Sequence, residues 1–416
     1  MQSCEVNRKT PTKSIILSTI INDPVYGFTR IPRGLLTDVI AHPYFQRLGR
    51  IRQLGMSALV YPGAQHTRFS HSLGALHLMQ EAVRVLMEKG QFMFDAEVEA
   101  AEAAILLHDV GHGPFSHVLE GIFSRGLSHE DISLRLMERM NEQMDGRLAL
   151  AIKVFRGEYG ARYLHELISS QIDVDRLDYL NRDSFFTGVR EGNVGAARII
   201  KMMEICGDRL VVSAKGLYSV ENYLISRRVM YGQVYQHKTV VAGEEVLRQA
   251  LRRAKFLASQ GEAPFAPPAL AFFLGNCAAE ASEDEWLRRY AELEDNDVLS
   301  AVKEWTHSAD RILALLASDF THRRLFRVEV FGEPIAPDLI GERRREVASA
   351  LGIDIADADY FVRTADVSNA LYRPGGEGIS LLYPDGTLRD IAEASPIIRS
   401  APDALDQRFY LMSQRL

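Results

Sequence analysis

The stretch that most constrains this chain is Leu106-Leu107-His108-Asp109-Val110-Gly111-His112-Gly113-Pro114-Phe115-Ser116-His117. The apolar run Ala103-Ala104-Ile105-Leu106-Leu107 carries a helix into the interior, the chain turns at Gly111-His112-Gly113-Pro114, and a new helical segment starts near Phe115. Three histidines and an aspartate therefore arrive where a buried helix opens. Polar groups in such a place need partners, because unpaired burial is costly. A metal ion meets that need. Taken alone, the His-Asp pair reads equally well as a helix C-terminus, with His108 capping carbonyls and Gly111 as the left-handed stop.

With 416 residues, 47% hydrophobic and 25% charged, the chain has the make-up of a globular protein with room for two or three domains. A net charge of -7 argues against a general nucleic-acid-binding surface. The basic runs Arg323-Arg324 and Arg343-Arg344-Arg345 read first as solvated helix faces. Cys4, Cys206 and Cys277 have no metal-site spacing, which points to a reducing compartment without a disulfide framework. The N-terminus has no apolar signal core and no stretch is long enough to span a bilayer, so a cytoplasmic protein is expected.

The pattern along the chain predicts a mainly α fold: an all-helical core with a short N-terminal β element and a small α+β C-terminal appendage. Strands are expected over Ser14 to Ile21 and Val25 to Ile31, around the turn Asn22-Asp23-Pro24. Helices follow from Arg33, with His42-Pro43 as a boundary and Ser70 as N-cap of a helix from His71 to Glu88. Further helices are read over 96–109, 115–123, 129–144, 148–155 and 161–170. A strand pair is placed at Arg209 to Ser213 and Gly216 to Tyr218, then long helices at Val220 to Lys238 and Gly243 to Ser259. Pro264 to Pro268 is a joint. Beyond it come amphipathic helices to about Ser318, then strands at 325–331, 360–363, 378–383 and 409–412 around a helix from Pro337 to Leu351. The expected organisation is residues 1–31, β element; 32–260, helical core; 261–320, helical extension; 321–416, α+β region.

Four residues from three segments fit one metal site: His71, His108, Asp109 and Asp175. Two imidazoles and two carboxylates form a mixed N/O set suited to Mn, Fe, Zn or Ni, with positions left for water or phosphate. Neighbours on a helix point about 100° apart. His108 and Asp109 can therefore share an ion only at a helix end or in a cleft, which is where the glycines put them.

Three motifs stand in order: Tyr61-Pro62-Gly63-Ala64-Gln65-His66-Thr67-Arg68-Phe69-Ser70-His71-Ser72-Leu73-Gly74, then His108 through His117, then Ile172-Asp173-Val174-Asp175-Arg176-Leu177-Asp178-Tyr179. With Tyr235-Gln236-His237-Lys238, they closely resemble the HD-domain phosphohydrolases, and among these the SAM- and HD-domain dNTP triphosphohydrolase branch, over about Asn22 to Lys238. This chain has no SAM domain in its resemblance. The resemblance implies that His71, His108, Asp109 and Asp175 bind a divalent transition metal, with Mg as a companion on the substrate phosphates. It further implies attack of a metal-activated water on the α-phosphorus of a dNTP, giving deoxynucleoside and inorganic triphosphate.

By the same resemblance His117 is the general acid, oriented by Glu120 where the family has Asp, and His112 and His129 face the phosphates. Arg68, Arg176 (Lys in the family) and Arg227 are the triphosphate clamps, guanidinium being suited to bidentate contact. Gln53 and Leu54 flank sugar and base, Tyr179 crowds the sugar 2′ position, Asp183 accepts from the 3′-hydroxyl, and Tyr235 belongs to the same substrate set. Arg227 also reads as a solvated helix position and Tyr179 as core. The expected partners are a nucleotide and further copies of the chain, as a dimer or tetramer, with no membrane. Two other readings remain: an HD phosphohydrolase acting on an alarmone, a monophosphate or a cyclic dinucleotide, and a non-catalytic nucleotide or nucleic-acid sensor. One departure bears on regulation. Where the branch reads an activating guanine nucleotide with an aspartate and an arginine, this chain has Ala41 and Gly49, leaving Arg47, Arg50 and Arg52 nearby to hold a triphosphate without reading its base.

Overall fold

A computed structural model describes residues 18–115, 117–275, 277–369, 371–372, 378–400 and 406–416. The central element is the Arg68–Glu88 helix, which buries Leu73, Leu76, Met79, Ala82, Val83 and Leu86. It packs against the Asp95–Leu107 and Val174–Thr187 helices. Alanines at 100, 101, 103 and 104 keep the Asp95–Leu107 helix slim enough to be enclosed, and burial of its Ile105, Leu106 and Leu107 contributes about 1.5–3 kcal/mol each. The crossing with Val174–Thr187 is close because Gly74 has no side chain: a Cβ there would lie 2.1 Å from Asp178 Oδ1.

The chain is mainly α, with three small sheets among the described residues. Strands β1 (Ser18–Asp23) and β2 (Gly27–Pro32) form an antiparallel hairpin. Strands β3 (Met203–Cys206) and β4 (Arg209–Ser213) form a second hairpin, which continues in parallel to β7 (Ser380–Leu382) and then β8 (Leu388–Asp390). Strands β5 (Arg327–Phe331) and β6 (Val362–Asn369) flank β9 (Asp406–Ser413) in the third sheet.

Several expectations are corrected. The partner of Arg209–Ser213 is Met203–Cys206, not Gly216 to Tyr218; the tight turn at Gly207-Asp208 closes that hairpin, and Gly216 leads directly into the Leu217–Met230 helix. Thr67, not Ser70, caps the central helix: its hydroxyl accepts from the Ser70 amide at 3.4 Å, so the helix starts at Arg68 and His71 stands one turn along. The helix expected over 220–238 ends at Met230 and widens into a π-type turn at Tyr231–Tyr235, a feature common at functional sites. His237 then caps a helix that runs from Lys238 to Ser259 rather than starting at Gly243. The first half of the expected Ser14 to Ile21 strand lies outside the described residues.

Candidate metal and substrate site

His71 and His108 arrive from two helices, at the start of one and the end of the other, and Asp175 from the first turn of a third. Their ligating atoms all lie within 4.8 Å of one another. Asp175 Oδ1 is 3.0 Å from His71 Nε2 and 3.3 Å from His108 Nε2, and the two Nε2 atoms are themselves 3.3 Å apart. Each imidazole is oriented from behind. His71 Nδ1 donates to Asp178 Oδ2 at 2.7 Å, and His108 Nδ1 donates to the Ile105 carbonyl at 2.6 Å. With both Nδ1 hydrogens committed, both Nε2 atoms face the same point, as those of metal-ligating histidines do.

The electrostatics agree. Burial opposes a charge on His71, but hydrogen bonds to Asp175 and Asp178 overcome it and push its pKa up to about 10. Burial likewise opposes ionisation of Asp175, yet His108 and His71 hold it well below the usual carboxylate range. A proton gripped that firmly marks a place for a cation, and the donor set fits a divalent transition metal.

Asp109 stands beside this group, its Oδ1 3.4 Å from His108 Nε2 and its Oδ2 3.8 Å from His71 Nε2. It also receives a salt bridge from Arg68 and lies 3.3 Å from His112 Nε2. The loop that carries it is strapped from several sides. The Gly111 amide donates to Ser133 Oγ, whose hydroxyl donates to the His108 carbonyl. A Cβ on Gly111 would lie 2.2 Å from the Ser133 amide nitrogen, so only glycine lets the loop press against the His129–Gln143 helix. Arg47 donates to the carbonyls of Val110, His112 and Leu293, and Tyr290 donates to that of Gly111. Asp295 receives the amides of Arg52 and Phe115. His112 is stacked on His129, ring centroids 3.9 Å apart. Burial, assisted by the Arg68 charge, brings the His112 pKa down to about 3, so the ring is neutral over the physiological range.

A cavity of 420 Å³ opens from this cluster. Its walls include Asp109, His112, His129 and Asp175 together with Gln53, Leu54, Arg68, Arg176, Tyr179, Asp183 and Tyr235. At its far side Asp183 takes hydrogen bonds from Tyr235 Oη at 2.8 Å and His66 Nε2 at 2.7 Å. Arg176 is anchored through Nε to the Ser170 carbonyl and to Asp173. Arg227 does not line the cavity; it sits over the ring of Tyr231, which does, and its Nη1 is buried without a hydrogen-bond partner among the described residues. The side chains of His117 and Glu120 lie outside the described residues. Arg47 is corrected: it is buried and bonded to carbonyls, so it is no free cation for a regulatory phosphate.

Residues that sequence reasoning did not single out also belong here. Tyr231 lines the cavity one helical turn before Tyr235, and Phe115 and Glu244 contribute to its walls. Asp178 was legible as the residue three beyond Asp175 on one helix face. Asp295 and Tyr290 carry no local signal.

The HD domain family model matches residues 68–183, and that of the HD associated region matches 194–262. An uncharacterised protein of Bacillus subtilis, YwfO, is 32% identical over 406 residues, covering 94% of this chain and 90% of the relative. The human deoxynucleoside triphosphate triphosphohydrolase SAMHD1 is 31% identical over 263 residues, 53% of this chain and 42% of that protein. A crystal structure of a phosphohydrolase from Bacteroides thetaiotaomicron superimposes with a TM-score of 0.92 at 52% identity, covering 96% of this chain and all of the other.

Proposed function

Since the chain belongs to the HD-domain phosphohydrolase family, we propose that it hydrolyses deoxynucleoside triphosphates to deoxynucleoside and inorganic triphosphate. The observation that carries this reading is the make-up of the cavity. One end holds the imidazole–carboxylate cluster, and the other holds a hydroxyl acceptor, Asp183, beside the rings of Tyr179 and Tyr235. Its 420 Å³ falls within the range of about 300–1,000 Å³ usual for small-molecule sites. The similarity to SAMHD1 supports the same substrate class.

His71, His108, Asp109 and Asp175 would hold the divalent cation. When bound, it supplies Lewis-acid polarisation of a phosphoryl oxygen and a water of lowered pKa. Arg68, Arg176 and Arg227 neutralise the triphosphate, the buried, unpartnered Nη1 of Arg227 supporting its part. Neutral His112, stacked on His129, donates to a phosphate oxygen rather than adding charge. His117, oriented by Glu120, delivers a proton to the departing 5′ oxygen. Gln53 and Leu54 border sugar and base, Tyr179 closes the 2′ side, and Asp183 with Tyr235 receives the 3′-hydroxyl.

We also infer a cytoplasmic homo-oligomer; no described helix is long and apolar enough to cross a membrane. Exposed Ile20 and Phe28 on the first hairpin support assembly, which light scattering checks.

The test is incubation of the purified protein with each dNTP and Mn, with ion-exchange separation of the products. Inorganic triphosphate is expected, and Asp109→Ala should abolish it together with most bound metal. Pyrophosphate or phosphate would assign a different HD phosphohydrolase chemistry, and no turnover would favour a sensor.

A further inference from the structure

His66 belongs to the first of the three motifs, yet it neither joins the metal cluster nor lines the cavity. Its side chain is only 1% exposed, and its Nε2 donates to Asp183 Oδ1 at 2.7 Å. Tyr235 Oη donates to the other oxygen of the same carboxylate. Two donors on two oxygens fix the plane of Asp183, leaving its remaining lone pairs aimed by the fold rather than by rotation about the side chain.

The His66 ring is itself held. It stacks on Phe186 at 4.5 Å and 16°, on the same helix as Asp183. Its backbone carbonyl accepts from the amide of Gln53, on another wall of the cavity. Its Nδ1 has no hydrogen-bond partner among the described residues. Burying an unpaired ring nitrogen costs stability, which packing alone does not explain.

We propose that His66 is a positioning residue for substrate specificity: it sets the Asp183 carboxylate to receive the sugar 3′-hydroxyl and ties that carboxylate to the Gln53 wall. This rests on the dNTP reading above. Without the His66 donor, Asp183 can rotate toward Tyr235 or solvent, and the hydroxyl loses a preset acceptor. A substrate lacking that hydroxyl loses nothing by the change.

The experiment compares wild type with His66→Ala, His66→Asn and His66→Gln on dATP and 2′,3′-dideoxyadenosine triphosphate, measuring kcat and KM separately. Glutamine places a donor about where Nε2 lies; asparagine keeps a polar side chain but falls short of Asp183, and it serves where the alanine variant folds poorly. Wild type should prefer dATP. That preference should shrink by roughly 10-fold or more in the Ala and Asn variants, the range for a hydrogen bond to a charged group, mainly through a higher KM for dATP, and return in the Gln variant. Hydrolysis with the same dATP preference in the Asn variant as in wild type overturns the role of His66 alone. Failure of wild type to hydrolyse any dNTP overturns the proposed reaction instead.

Discussion

His71 and Asp178 meet at 2.7 Å with both side chains fully buried, and Asp178 is held in turn by Arg182 through two contacts of 3.0 Å. Arg182 reaches on to Asp23 in the first hairpin at 2.8 Å. The orientation of the His71 ring, which we propose binds the metal, is thus anchored in a strand far from it in sequence. Asp178→Asn should lower metal affinity about 10- to 100-fold while preserving the fold, as loss of a carboxylate behind a ligating histidine does. Asp178→Ala should in addition destabilise the protein by about 3–5 kcal/mol, because Arg182 is left buried and short of a partner. Metal content after dialysis, with denaturant unfolding alongside, measures both. Unchanged metal retention in a folded Asp178→Asn variant would contradict the orienting role.

Tyr179 lies in the cavity wall with its ring centroid 6.1 Å from that of Tyr235, whose hydroxyl holds Asp183. On the proposed reading, in which Asp183 receives the 3′-hydroxyl, the ring beside it presents an apolar surface to the 2′ carbon. Ribonucleotides should therefore be poorer substrates than deoxyribonucleotides by about 10²-fold in kcat/KM, the discrimination an apolar wall achieves against an added hydroxyl. Tyr179→Ala should narrow the gap. Equal kcat/KM for GTP and dGTP in wild type would place the ring elsewhere.

Glu102 is buried on the Asp95–Leu107 helix, and that burial, assisted by Glu99, pushes its pKa from 4.5 up to about 7. The folded state thus holds a proton that the unfolded state releases at lower pH. The stability linked to this group is fully present below pH 4.5 and is lost as pH rises through about 7. Glu102→Gln, which cannot ionise, should gain stability relative to wild type between pH 5 and pH 8, by about 2–3 kcal/mol. Urea unfolding at the two pH values checks the sign; a constant difference between the proteins would show that Glu102 does not titrate there.

Ala41 ends the Leu35–Ala41 helix and Gly49 lies in the next turn, both exposed. Neither can read a guanine edge or stack on a base. Of the arginines around them, Arg47 is committed to carbonyls and Arg50 is paired with Glu294. Hydrolysis of single dNTPs should therefore show no specific requirement for a guanine nucleotide. Rates with and without added GTP or dGTP decide the point, and strict dependence would refute it.

The mainly helical fold was legible in the sequence because it follows from local order, and the meeting of His71, His108 and Asp175, which stand on three separate helices, was expected from the three ordered motifs and the family they resemble. Apolar periodicity marks a helix within a few turns, and the glycines of the His108–His117 stretch announce a helix end. The wider turn at Tyr231–Tyr235 was less visible, since Leu217 to Tyr235 keeps a helical pattern while its hydrogen bonding changes.

Other features arise only where distant segments meet. Nothing near Arg47 says that it will be buried under three carbonyls, two of them from the His108–His117 loop, and nothing near Asp295 foretells that it receives the amides of Arg52 and Phe115. The pairing of β4 with β7, which joins the C-terminal region to the helical body, is a parallel contact between strands each too short to declare a partner. His66 illustrates the division. Its place in a motif was plain from residue order, but its work became visible only once packing had set Asp183, Tyr235 and Phe186 around it. Helix propensity and turn chemistry act between neighbours along the chain, whereas a buried hydrogen bond depends on what the completed interior places within 3 Å.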